Sequence, residues 1–297
     1  MIYDAIIIGK GPAGMSASLY TVRANLKTLL IGKSDSALAK AGRIENYFGF
    51  SEPIKGETLL QEGEKQVLRL GVEIVEDEVI SIEKTDSFEV MTSKGRYEGK
   101  TVLLATGLSR KKPSIMNLEN FEGKGVSYCS SCDGFFYNNM KVGVLGFKDY
   151  AVHEALELET FTDKITIYTN GMDPEFTGDF LEKSTRFDIN MKPVKKVDGA
   201  EFLQRIYFKD GSSEEIDGLF IAYDSASSTD FALKLGVLTE DNSIVVDKYQ
   251  QTNLEGLFAA GDCTGGFRQV STAVGQGAMA GRKMAEYLRN LRNKERS

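Results

Sequence analysis

Within its first thirty-one residues the chain sets an apolar run, a glycine turn, a helical stretch and a second apolar run in direct succession. The first run is Tyr3-Asp4-Ala5-Ile6-Ile7-Ile8 and the turn is Gly9-Lys10-Gly11-Pro12-Ala13-Gly14. Met15 to Ala24 reads as helix and Lys27 to Ile31 as the second strand. This is the order of a dinucleotide-binding turn. Gly9 permits the sharp reversal, Gly11 lets a pyrophosphate approach bare backbone, and Gly14 lets helix and strand pack closely. The helix N-terminus then offers its free N–H groups to phosphate. Glycines alone constrain little, but between a strand and a helix they commit the segment to a parallel α/β sheet. The acid expected at the end of the second strand, where a ribose hydroxyl would meet it, is replaced by Gly32-Lys33.

The same plan recurs. Val72–Val75, Val79–Glu83 and Phe88–Thr92 read as a small antiparallel ribbon, returning into a central strand at Thr101-Val102-Leu103-Leu104-Ala105-Thr106-Gly107. Lys141 to Gly146 then repeats the strand and turn, Tyr150 to Glu159 the helix, and Ile165 to Tyr168 a strand. Phe202 to Asp210 and Gly218 to Tyr223 repeat the ribbon and return. Leu257-Phe258-Ala259-Ala260-Gly261-Asp262 goes back to a buried strand near the C-terminus. Such self-similarity argues for two domains of one design. The expected class is therefore α/β, with two dinucleotide-binding, Rossmann-like domains and the second inserted into the first. The first spans 1–112 and 243–297, the second 113–242. Ser109-Arg110-Lys111-Lys112-Pro113 and Leu238 to Ser243 are the expected crossings.

The chemistry is concentrated in Cys129-Ser130-Ser131-Cys132-Asp133-Gly134. Two thiols at this spacing can close an easily reduced disulfide, and the adjacent acid can move protons. C-x-x-C is also half of a zinc site. Completing one would require Cys263 and His153, which lie near neither the pair nor each other in sequence. The redox reading is preferred, and no metal is expected. Net charge is −7, with Gly281 to Ser297 at +4 and the remainder at −11. An acidic body argues against nucleic acid. The leading apolar run is too short to span a membrane, and three cysteines in a redox context suit a reducing cytoplasm. Cys263 reads as a small buried residue, and His153 as a satisfied or exposed one. Met284, Tyr287, Leu288 and Leu291 have the spacing of a helix packed on its own domain.

Taken together, Gly9 to Gly14, Glu45-Asn46-Tyr47-Phe48-Gly49-Phe50, Ala105-Thr106-Gly107, Cys129 to Gly134, and Gly261-Asp262 with Arg268-Gln269-Val270 resemble the low-molecular-weight thioredoxin reductases of bacteria over essentially the whole length. The resemblance implies a homodimeric FAD enzyme with its redox pair in the inserted domain. Asp262 would bond the ribityl chain, Gln269 and Val270 would meet the flavin pyrimidine edge, and Asn46 would contact the isoalloxazine. Gly9, Gly11, Pro12, Ala13, Gly14, Gly32, Lys33, Val79, Ala105, Thr106, Gly107, Gly261 and Arg268 complete the expected cofactor surface. The family's Gly-Gly-Gln segment is replaced near Ser36-Ala37-Leu38, so its contacts are not carried over. Cys132 would face the flavin, Cys129 would attack the thioredoxin disulfide, Cys132 would resolve the mixed disulfide, and Asp133 would serve as acid and base.

The inserted domain departs from that family where NADPH would bind. Its turn reads Gly146-Phe147-Lys148-Asp149-Tyr150-Ala151, with Lys148 in place of the close-approach glycine. The basic cluster for the 2′-phosphate is replaced by Thr169-Asn170-Gly171-Met172-Asp173, and a later glycine is replaced around Asp224. A phosphate site without cations or bare backbone is a poor one. These losses match the ferredoxin-dependent flavin thioredoxin reductases, so reduced ferredoxin is the expected donor and NADPH is not. A donor near about −400 mV and thioredoxin near about −270 mV give roughly 6 kcal/mol downhill for two electrons. If Cys129 is buried against the flavin, a swing at Arg110 to Pro113 would still be needed. Three readings compete: an NAD(P)H reductase with a degenerate pocket, a ferredoxin–NADP reductase on the same fold, and a non-catalytic FAD-binding redox sensor. The intact Cys-x-x-Cys-Asp argues against the last two. The basic C-terminal helix, through Arg289 and Arg292, is the candidate ferredoxin platform.

Overall fold

A computed structural model describes residues 2–34, 36–108 and 113–294. The chain divides into two compact units, Met1–Ser109 with Ser227–Ser297, and Arg110–Ala226. The second boundary falls before the expected crossing at Leu238 to Ser243. Those residues form a small hairpin of the first unit instead, Thr239–Glu240 against Ser243–Ile244. The cause is the helix Ser228–Lys234. Ser227 caps it reciprocally with Asp230, and the Ser228 N–H donates to Thr106 Oγ1 at 3.0 Å, tying the helix to the first unit's central strand. Of the other crossing, Ser109 to Lys112 lie outside the described residues.

In the first unit the strand Ile2–Ile8 lies between Thr28–Ile31 and Arg96–Leu104, parallel to both. Ile6, Ile7, Leu29, Leu30, Leu103 and Leu104 are wholly buried, the continuous apolar runs of a sheet covered on both faces. Leu257–Ala259 joins the far half of Arg96–Leu104 in parallel, while its near half pairs antiparallel with Phe88–Thr92. Val79–Lys84 closes that ribbon. The ribbon omits Val72 to Val75: Glu73–Val75 instead extends the main sheet parallel to Thr28–Ile31. Its single apolar run was indistinguishable in sequence from a ribbon strand.

The helix Pro12–Arg23 packs on the terminal helix Val270–Lys294 through a stripe of small residues. A Cβ at Gly277 would lie 2.1 Å from the Ala13 carbonyl oxygen, and one at Gly281 2.4 Å from that of Ala17. The matched four-residue spacing makes the two helices run parallel at close approach. Met284 and Leu288 are buried and Tyr287 packs against the same core, so these three face their own unit.

The second unit repeats the plan. Its sheet has the order Asp188–Asn190, Ile165–Tyr168, Val142–Leu145, Gly218–Ile221, Val126–Ser127, parallel throughout. The helix Asp149–Leu158 follows Val142–Leu145. The accompanying ribbon has three strands, Val194–Asp198, Arg205–Phe208 and Ser213–Glu215. Among the described residues, no helix is long and apolar enough to cross a membrane.

Two outcomes follow from this packing. Gly277→Val forces a side chain into the Ala13 backbone and is expected to cost about 1–3 kcal/mol, read as a lower urea midpoint of the holoprotein. Cys263 is buried, with its thiol pushed up to about 12 chiefly by burial. At pH 8 it is therefore a neutral thiol, and the oxidised native protein is expected to take up no alkylating reagent, against one equivalent after unfolding.

Candidate active site

The redox turn is built at the end of the short strand Val126–Ser127. Cys129 and Cys132 are joined as a disulfide, across the first turn of the helix Ser130–Asp133. Cys129 caps that helix, and its Sγ accepts the Cys132 N–H at 3.2 Å, an arrangement that favours negative charge on this sulfur when the bridge opens. Cys129 is buried, whereas Cys132 is exposed. Asp133 is held by Ser127, whose Oγ–H donates to Asp133 Oδ2 at 2.6 Å while the Oγ oxygen accepts the Cys129 N–H at 3.1 Å. Gly134 lies under Phe161, with no room for a side chain. Phe135 and Phe136 stand exposed beside the turn.

Beneath the turn lies a network that the sequence did not signal. Ser130 is wholly buried, and its N–H and Oγ–H reach Glu154 Oε2 at 3.3 and 2.8 Å. The same hydroxyl meets Glu157, and His153 Nε2 lies 3.3 Å from Glu157 Oε1. His153, on the helix Asp149–Leu158, makes no hydrogen bond through that buried Nε2, so it is neither the satisfied nor the exposed histidine expected. This network anchors the segment between the two cysteines to the helix behind it. Its residues are 24 and 27 positions apart in sequence, and no motif spacing marks them.

In the first unit the cofactor candidates gather at the carboxyl edge of the parallel sheet, where such sheets bind ligands. Gly9 has φ of 117°, and a Cβ there would strike the Ala105 carbonyl at 2.2 Å. One at Gly14 would lie 1.9 Å from the Gly9 oxygen, while Gly11 faces open space. Pro12 begins the helix, whose first turn carries neither an acid nor a side-chain cap. The N–H groups there are left for an outside anion, so these residues fit a dinucleotide phosphate. Ala13 backs Gly261, whose own φ is 86°. Gly261 accepts Thr264 Oγ1–H and leads into Asp262. Thr106 is tied to Ser228, and Gly107 is left-handed. Asn46 Nδ2 donates to Gln269 Oε1 at 2.9 Å, just before Val270 opens the terminal helix, with Arg268 exposed beside them. Gly32 packs on Lys10, Lys33 pairs with Glu78, and Val79 is buried next to that glutamate. These residues would hold FAD, which supplies two-electron storage beside the disulfide's chemistry.

The second turn is filled from within. Lys148, at the close-approach position, forms an ion pair with Asp224, and its ammonium sits 5.3 Å from the Phe147 ring centre. Phe147 is buried edge-to-face on Tyr223, with centroids 5.4 Å apart. Asp224 keeps the left-handed backbone of the missing glycine, with φ of 71°. Asp149, 4% exposed in the first turn of the helix, accepts both the N–H and the hydroxyl of Thr177, at 2.7 and 2.6 Å. A carboxylate thus occupies the positive end of the helix. The segment expected to carry phosphate-binding cations closes on itself, with Thr169 Oγ1–H donating to the Met172 carbonyl and Asn170 Oδ1 accepting the Val194 N–H. The sequence flagged Lys148 and Asp224 separately. It did not flag that they pair, or that Asp149 has Thr177 as its partner.

The model of the pyridine nucleotide-disulphide oxidoreductase family matches residues 3–277. A thioredoxin reductase of Listeria monocytogenes is 35% identical, with 98% of this chain and 95% of the relative covered. Among solved structures, the atypical thioredoxin reductase TRi of Desulfovibrio vulgaris Hildenborough is 41% identical with a TM-score of 0.92, covering 97% of this chain and 98% of that one. A ferredoxin-flavin thioredoxin reductase of Clostridium acetobutylicum is 30% identical with a TM-score of 0.70, covering 97% and 99%. The chain belongs to the pyridine nucleotide-disulphide oxidoreductase family and, within it, to the thioredoxin reductases, which are FAD flavoproteins.

Proposed function

We propose that this flavoprotein reduces thioredoxin through Cys129 and Cys132 with electrons from reduced ferredoxin, and that NADPH is not its donor. One observation carries the reading: the second glycine turn, where a pyridine nucleotide would lie, is occupied by Lys148–Asp224, Phe147–Tyr223 and the Asp149 carboxylate. A nucleotide would have to break the ion pair and place its pyrophosphate against a buried acid, which opposes binding twice. The similarity to the Clostridium acetobutylicum enzyme supports the same donor.

In the chain's own part of the reaction, Cys132 is the sulfur open to an outside group, in keeping with its assignment as the one that meets the flavin. Cys129, whose Sγ receives the Cys132 N–H and which is buried in the oxidised pair, has to be uncovered before it attacks the thioredoxin disulfide as a thiolate. Cys132 then attacks the mixed disulfide, releasing reduced thioredoxin and re-forming the Cys129–Cys132 bond. Asp133, oriented by Ser127, delivers and recovers protons at the sulfurs. Phe135 and Phe136 give the protein substrate an apolar surface beside the disulfide. Gly9 to Gly14, Gly32-Lys33, Asn46, Val79, Ala105 to Gly107, Gly261-Asp262 and Arg268 to Val270 hold FAD, and the enzyme works as a homodimer in the cytoplasm.

The basic helix end, with Arg289 exposed, is kept as the candidate point of electron entry. Arg292 is paired with Asp4 at 3.0 Å. It also lies near the far end of a helix of 25 residues that opens at Val270, a length of about 37 Å at 1.5 Å per residue. A second reading, an NAD(P)H-driven reductase, is favoured by the Lys148 ammonium itself, which could turn from Asp224 to a phosphate.

The test is anaerobic. Reduced ferredoxin is expected to bleach the flavin of the holoenzyme, and oxidised thioredoxin to restore its colour, whereas NADPH and NADH leave it yellow. Cys129→Ser and Cys132→Ser should each abolish turnover of thioredoxin by orders of magnitude while leaving ferredoxin-driven bleaching intact. Fast bleaching by either nucleotide, or turnover without one cysteine, would overturn the proposal.

A further inference from the structure

The acid that customarily receives the adenosine ribose hydroxyls at the end of the second strand is absent, with Gly32-Lys33 in its place. The neighbouring strand supplies a carboxylate at the same level. Thr28–Ile31 pairs in parallel with Glu73–Val75, Ile31 opposite Val75, and the Gly32 N–H donates to the Val75 carbonyl at 3.1 Å. The chain then turns through Glu76 and Asp77 into Val79–Lys84, and this turn is fastened to the end of the second strand. Ser34 Oγ–H donates to Glu76 Oε1 at 2.7 Å, and Lys10 Nζ lies 3.2 Å from Ser34 Oγ and 3.6 Å from Glu76 Oε2. Lys33 Nζ holds Glu78 through Oε2.

Glu78 is the informative member. Its side chain is only 9% exposed, yet its second oxygen, Oε1, is buried with no hydrogen-bond partner. A buried carboxylate oxygen without a donor is costly, by about 1–3 kcal/mol or more. Native proteins rarely leave such groups without a partner, and a group from outside the chain can complete them. Glu76 does not fill the role, because both of its oxygens are engaged by Ser34 and Lys10 and it is largely exposed. We propose that Glu78, held by Lys33, is the acid that reads the adenosine half of FAD, with Oε1 accepting a hydrogen bond from a ribose hydroxyl. Lys33, standing where other chains carry the acid, acts as the positioning residue that brings a carboxylate across from the next strand. The inference rests on FAD being the cofactor and is independent of the electron donor.

The test measures flavin affinity, not turnover. The full-length protein, stripped of flavin, is titrated with FAD and with FMN, which lacks the adenosine, using the change in flavin fluorescence. Glu78→Met is expected to raise the Kd for FAD by roughly ten- to a hundredfold, the loss of one hydrogen bond to a charged group, and to leave the weaker Kd for FMN unchanged. FAD lacking the adenosine ribose hydroxyls should bind the native protein more weakly by a like factor. Should Glu78→Met not fold, Glu78→Gln is read by the same FAD-to-FMN ratio. A variant in which FAD loses no more affinity than FMN, or native protein indifferent to the ribose hydroxyls, overturns the assignment.

Discussion

A helix begins with N–H groups that its own backbone cannot satisfy, and in this protein the account turns on what satisfies them at two equivalent turns. Both follow a central parallel strand, and both keep the first glycine pressed against a neighbouring carbonyl, at Gly9 and at Gly146. In the first unit the helix opens on Gly11-Pro12 with no acid in its first turn, and the space before Gly11 is empty. In the second, Asp149 sits in the first turn and Lys148 reaches Asp224. One turn awaits an anion from outside, and the other is neutralised by its own side chains. The fold is common to both, and the structural difference between the two turns resides in three or four residues.

That asymmetry gives the redox unit a different task. On the proposed reading, a domain that holds no nucleotide still has to hold the disulfide, and polar contacts are concentrated there. The helix Asp149–Leu158, which in a working nucleotide site would point its first turn at phosphate, sends Glu154 and Glu157 to Ser130 between the two cysteines. Burying a carboxylate, as at Glu154, is costly unless it is well bonded. Here the bonds go to the segment whose geometry the thiol exchange depends on. The rigid part of the site is therefore the backbone from Ser127 to Asp133, while Phe135 and Phe136 are left outside it.

Much of this was legible in the sequence wherever a residue acts through its own backbone or an immediate neighbour. Gly9, Gly11 and Gly14 declare their roles by type and spacing. Cys129 and Cys132 do the same, and so does the loss of glycine at Lys148. The elements Ile165–Tyr168 and Phe88–Thr92 were read with their observed limits. What escaped were particular features that depend on pairing across the fold. Glu73–Val75 joins the parallel sheet, although its apolar run suits a ribbon equally well. The helix Ser228–Lys234 belongs to the first unit because two hydroxyls meet, Thr106 and Ser228. Lys33 first reads as the loss of an acid, and only the register of the next strand shows that Glu78 returns one. Charge counts are blind to such pairing too: the basic C-terminal helix is distinctive in composition, and only the fold shows that its Arg292 meets Asp4.

The most direct measurement is a calorimetric titration of NADPH into the oxidised holoenzyme. If Lys148, Asp224 and Asp149 fill the second turn, no binding heat should be detected at nucleotide concentrations up to about a millimolar, corresponding to less than roughly 4 kcal/mol of affinity. Saturable binding in the micromolar range would contradict the account, because it would require the ion pair to open and the buried carboxylate to accept a phosphate beside it.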